Sequence, residues 1–130
     1  MRTFLLGLVL LLATAFAADR DLAGGYIGEW KSGPSENRGA IRFTLEPAAD
    51  AWKGTVSFSL DGAEVPCTIR TLKLQDGKIE LVYDFEVQNT GVRSTVTGTW
   101  NASEFRGTYE TATSDGQGVD SGTWTAKRKP

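Results

Sequence analysis

Gly54-Thr55-Val56-Ser57-Phe58-Ser59-Leu60-Asp61-Gly62-Ala63-Glu64-Val65-Pro66-Cys67-Thr68-Ile69 is the stretch that decides the fold. Asp-Gly flanked by alternating apolar residues is the strongest short-range hairpin signal, because both turn residues must take positive φ. With Asp61-Gly62 as a two-residue turn, Leu60 faces Ala63, Phe58 faces Val65, Val56 faces Cys67 and Gly54 faces Ile69. Side chains alternate across a strand, so all of these share one face, and Thr55, Ser57 and Ser59 share the other.

The same reading extends in both directions. With Ala102-Ser103 as the turn, Trp100 faces Phe105, Gly98 faces Gly107, Val96 faces Tyr109 and Ser94 faces Thr111, while Thr97 pairs with Thr108 and Thr99 with Arg106 outside. Further turn signals lie at Ala48-Ala49-Asp50, Asp76-Gly77, Asn89-Thr90-Gly91 and Asp115-Gly116-Gln117-Gly118. They bound eight strands: Gly28 to Lys31, Gly39 to Glu46, Trp52 to Leu60, Ala63 to Lys73, Lys78 to Gln88, Val92 to Asn101, Glu104 to Thr113 and Val119 to Lys127. The spacing predicts an all-β domain, an eight-stranded antiparallel up-and-down β-barrel closed between its first and last strands, since closure removes exposed edges. The fourth strand changes phase between Ile69 and Leu72, and a bulge near Arg70-Thr71 keeps both residues inside.

The chain ahead of the barrel reads as a secretory signal peptide over residues 1–17. Arg2 precedes the apolar run Phe4 to Ala13, and Ala15-Phe16-Ala17 offers small residues for cleavage near Ala17. An N-terminal segment over 18–27 then leads into one barrel domain over 28–130, and the protein is expected to be secreted or periplasmic. With Arg2 removed, 13 basic and 16 acidic residues remain, so no basic patch suits nucleic acid. The outward faces are Thr, Ser, Lys and Glu, so membrane insertion is not expected.

The barrel has two unlike ends. One carries the turns after strands two, four and six, and its inward residues are Trp30, Trp52, Leu74, Ile79, Trp100, Phe105 and Trp124. These predict a packed plug. The other end carries the longest loop, Ser32 to Arg38, and inward residues there include Leu60, Val87, Ser94, Thr111 and Asp120. Loops over a partly polar rim are where barrels bind. Ser94, Thr111 and Asp120 are the candidate polar contacts to a ligand, with Leu60 and Val87 as apolar ones.

Chemistry beyond binding has little support. The chain contains no histidine, the commonest acid–base group and zinc ligand, so no enzyme, cofactor or metal is expected. Asp84 and Glu86 share the outward face with Glu80 and read as solvated. Asp115 to Asp120 lacks the dense carboxylate spacing of a calcium loop. Asn101-Ala102-Ser103 fits a glycosylation sequon, but its role as a turn suffices. Cys67, the single cysteine, reads as a small buried apolar residue.

Gly28-Glu29-Trp30 near the start and Trp124-Thr125-Ala126-Lys127-Arg128 near the end resemble the calycin superfamily of lipocalins and avidins. The resemblance implies that Trp30, on strand one, packs beneath Lys127 or Arg128 at the closed end. Gly98-Thr99-Trp100 and Gly122-Thr123-Trp124 repeat the Gly-x-Trp pattern, which suits glycine making room for a neighbouring ring. Two functions follow. One is a secreted barrel binding a small, partly apolar ligand at its open end. The other is a protein-interaction module with a filled interior, similar to small barrel inhibitors of metalloproteases, with Asp19 to Gly25 as the inserting trunk. Interior volume separates the two.

Overall fold

A computed structural model describes residues 19–130. The expected signal peptide lies outside the described residues. The strands are β1 (Gly24–Ser32), β2 (Arg38–Ala48), β3 (Ala51–Lys53), β4 (Val56–Leu60), β5 (Ala63–Pro66), β6 (Thr68–Gln75), β7 (Lys78–Val87), β8 (Thr90–Asn101), β9 (Glu104–Thr113) and β10 (Gly118–Arg128). Their hydrogen-bonded order is β5-β4-β2-β1-β10-β9-β8-β7-β6, with β3 also on β2. Every pair is antiparallel, and β1 joins β2 on one side and β10 on the other. The two ends of this path, β5 and β6, are linked through Cys67, so the up-and-down barrel is nearly closed.

The ten strands are the eight expected ones with two of them broken. Strand three divides at Gly54-Thr55, where a Cβ on Gly54 would stand 1.9 Å from the Thr44 carbonyl oxygen. Only glycine permits that approach. Strand four divides after Pro66, which has no N–H for a ladder. The β4–β5 ladder therefore stops at Ser57–Pro66, and the expected pairs Val56–Cys67 and Gly54–Ile69 do not form. Beyond the break, β6 pairs with β7, and its register shifts between Ile69 and Thr71 as a bulge there requires. The turns at Asp61-Gly62 and Asp76-Gly77 take positive φ at both residues. The turn expected over Asn89-Thr90-Gly91 instead falls one position earlier, at Gln88 and Asn89, with φ of 50° and 66°.

β1 begins at Gly24, not Gly28. Its inward positions are thus Tyr26, Gly28, Trp30 and Ser32, and Tyr26 occupies the place expected of a tryptophan. Tyr26 is buried and packs on Phe43, Phe105 and Trp100, with ring centroids 5.0, 5.2 and 6.0 Å away. The Arg128 guanidinium lies 5.6 Å from both the Tyr26 and the Trp100 rings. The basic residue at the closed end is Arg128, and Lys127 is exposed.

The N-terminal segment seals the same end. Leu22 joins the core cluster, and Tyr26 donates its hydroxyl to the Leu22 carbonyl at 2.7 Å. Arg128 donates to the carbonyls of Ala23 and Asp21. Asp19 is buried, and its two carboxylate oxygens accept the N–H groups of Asp76 and Gly77.

Candidate ligand site

The paired registers stack the inward residues in layers. On β8 and β9 the pairs run from Ser94–Thr111 through Val96–Tyr109 and Gly98–Gly107 to Trp100–Phe105. On β1 and β10, Trp30 stands opposite Trp124, and Tyr26 opposite Arg128. Trp30 is therefore two residues from the loop end of β1, not in the plug. Trp124 lies at mid-height, also above the plug. Trp100 and Arg128 are at the closed end as expected, over Tyr26.

The glycines make the middle layer possible. A Cβ on Gly98 would lie 2.6 Å from Cζ2 of Trp124, and one on Gly39 would lie 2.7 Å from Nε1 of Trp30. Each indole is then fixed by one bond: Trp30 donates to the Ser59 carbonyl and Trp124 to the Thr97 carbonyl, both at 3.0 Å. The Gly-Thr-Trp repeat over 98–100 and 122–124 is thus a packing pattern, in which Gly98 receives the ring of Trp124.

Above these rings the barrel is hollow. A cavity of about 440 Å³ opens among the loops and is lined by Trp30, Trp124, Tyr109, Tyr83, Phe58 and Ile41 at depth. Leu60, Phe85, Val87, Val92, Val96 and Val119 supply further apolar wall, and Pro34, Ser35 and Asn37 of the β1–β2 loop reach the mouth. All five residues expected to contact a ligand, namely Leu60, Val87, Ser94, Thr111 and Asp120, line this one cavity.

Its polar groups form two sets. Ser94 and Thr111 share a hydroxyl–hydroxyl bond of 2.5 Å on one inner wall. Burial holds the Tyr83 hydroxyl well above the ordinary tyrosine range, partly offset by its bond to Ser94, so Tyr83 stays protonated at neutral pH. The second set centres on Asp120. Ser32 donates to Oδ1 at 2.6 Å, and Tyr109 donates to Oδ2 at 2.8 Å. Burial, then the Asp120 hydrogen bond and charge, hold Tyr109 high as well. The β1–β2 loop is tied down beside this set: the Ser32 hydroxyl accepts the Ser35 N–H, and Gly33 donates to the Ser121 carbonyl.

Sequence reasoning missed Ser32, Tyr83 and Tyr109 as members of this site. Tyr109 and Tyr83 are on inward positions of long strands, where alternation alone does not separate core from lining; the empty volume beside them makes them lining. The Asp115 loop serves as its own cap, with the Gln117 N–H and the Thr113 hydroxyl on the Asp115 carboxylate. Among the described residues no group of three or more side chains is placed to hold a metal ion. No protein-family model matches this chain, and no curated protein matches it.

The arrangement can hold a compact apolar body against aromatic rings and orient it from one side with hydroxyls and a carboxylate. Pockets of this size and make-up bury most of a small ligand's surface.

Proposed function

We propose that the protein is an exported binding protein that holds a small, partly apolar ligand in the open half of its barrel. The observation that carries this reading is the cavity of about 440 Å³ above a solid aromatic plug. A barrel needed only as a scaffold gains stability by filling such a space, since each void forfeits packing contacts. The competing reading, a filled barrel offering its N-terminal trunk to a protease, is weakened on two counts. The interior is not filled, and Asp19 to Gly25 is held to the closed end by Asp19, Leu22 and Arg128.

The test is a thermal-shift screen of metabolites against the wild type and the Asp120→Ala, Thr111→Val double variant. A ligand at a hundred times its Kd stabilises by about 2.7 kcal/mol. For a domain of this size that raises Tm by about 10 °C. The expected result is a ligand that shifts the wild type and shifts the double variant much less. Equal shifts would take these residues out of the site, and no shift with any compound would leave the cavity without a role.

A further inference from the structure

Among the described residues lining the cavity, Asp120 is the only charged one. Among the described residues no lysine or arginine lies within ion-pair distance of it; their salt bridges use Glu46, Glu64, Asp84 and Glu104. Its two hydrogen-bond partners, Ser32 and Tyr109, both donate and both are neutral. Neutral hydroxyls bring no charge of their own, so neither partner compensates a negative charge on this carboxylate. Each oxygen also keeps acceptor capacity after these bonds, so a further donor can be taken.

The surroundings fit the same partner. Trp30, Tyr109, Tyr83, Phe58 and Phe85 line the same cavity as the carboxylate, and Tyr109 is bonded to it. Trp30 meets Tyr109 edge to face at 6.1 Å, and Phe58 meets Phe85 at 4.8 Å, so ring edges and faces are fixed in place. The negative face of an aromatic ring attracts a cation, and more strongly where water is displaced. A carboxylate ligand would find no cation in the cavity and one anion at its mouth.

Resting on the binding reading above, we propose that the ligand is an organic monocation, a primary to quaternary amine on a compact apolar or aromatic body. The apolar body fills the space over Trp30 and Trp124. The ammonium lies at the mouth against Asp120, next to the ring of Tyr109, which is bonded to that carboxylate. Tyr109 and Ser32 are positioning residues, which hold the carboxylate in one orientation.

The test is calorimetric titration at pH 7 with three probes that share one body: naphthylethylamine, naphthylethanol and naphthylpropionate. The expected order is amine, then alcohol, then propionate, with the amine tighter than the alcohol by about tenfold, the scale of one partly desolvated charge contact. Asp120→Asn should bring the amine down to the alcohol's affinity while the alcohol changes by less than about threefold, since the charge is lost and the apolar wall is untouched. The hydroxyl of Ser32 or Tyr109 can turn to accept from the amide. An alcohol that binds the wild type as well as the amine does would overturn the cation assignment and leave the binding reading standing. Persistence of the amine preference in a folded Asp120→Asn would also overturn it. Failure of all three probes would sink the binding reading itself. Should the variant not fold, the wild-type ranking alone decides.

Discussion

Asp19→Ala should loosen the closed end of the barrel more than any surface substitution. Asp19 is only 5% exposed, unusual for a carboxylate, and it accepts the Asp76 and Gly77 N–H groups at 2.9 Å each. Those two residues form the β6–β7 turn in positive φ, and Asp19 is the acceptor for both of their amides. A hydrogen bond to a charged group contributes about 1.5–3 kcal/mol net. Two bonds to one carboxylate do not add fully, so the loss comes to about 2–4 kcal/mol. In a domain of this length each kcal/mol moves Tm by about 4 °C, which predicts a fall of about 8–16 °C. Scanning calorimetry of the protein measures it directly. Asp19→Asn keeps one acceptor oxygen and should recover about half of the loss. A fall of under about 2 °C for Asp19→Ala would refute the view that this carboxylate anchors the N-terminal segment.

Three further outcomes follow from particular contacts. Gly98→Ala should destabilise by about 1–3 kcal/mol, because its Cβ overlaps the Trp124 ring, and denaturant titration checks it. Burial pushes the Cys67 thiol up to about 12, from an ordinary 9.0. At pH 8 its thiolate fraction is then about a thousandfold below that of an ordinary thiol, and alkylation of the native protein should slow in proportion. Bonds from Arg93 and then Arg70 hold the Asp84 carboxyl down to about 2, against an ordinary 3.8. A depressed carboxyl contributes stability that is complete above pH 4 and lost as pH falls towards about 2. Asp84→Asn should therefore flatten the acid limb of the stability curve in that window, by a small amount because the group is on the surface.

Much of the architecture was legible because strand alternation and turn chemistry are local. Asp61-Gly62, Asp76-Gly77 and Ala102-Ser103 set their hairpins, and the whole Ser94–Thr111 to Trp100–Phe105 register follows from the last of these. The inward phase of Leu60, Val87, Ser94, Thr111 and Asp120 came with it. What escaped was non-local. Gly24-Gly25 reads as a linker in isolation, yet both glycines pair with β2, and this moved Trp30 from the plug to the cavity floor. The break at Gly54 depends on where Thr44 passes, which no local pattern encodes, whereas the break after Pro66 had a local signal in the missing N–H. Asp19 reads as a solvated acid until the β6–β7 turn is placed over it. The cavity was undetermined by sequence for the same reason: alternation says which side chains point inward, and not whether their volumes fill the space between them.

Calorimetric titration of naphthylethanol, a neutral probe, into the wild type and Leu60→Trp tests the hollow, ligand-holding barrel most directly. Leu60 lines the cavity beside the Asp61-Gly62 turn and is half-buried, so an indole there occupies the space with little disturbance to the strands. The account predicts saturable one-to-one binding to the wild type, weakened by about tenfold or more in Leu60→Trp at unchanged circular dichroism. Equal affinity for both proteins, or no binding to the wild type, would contradict it.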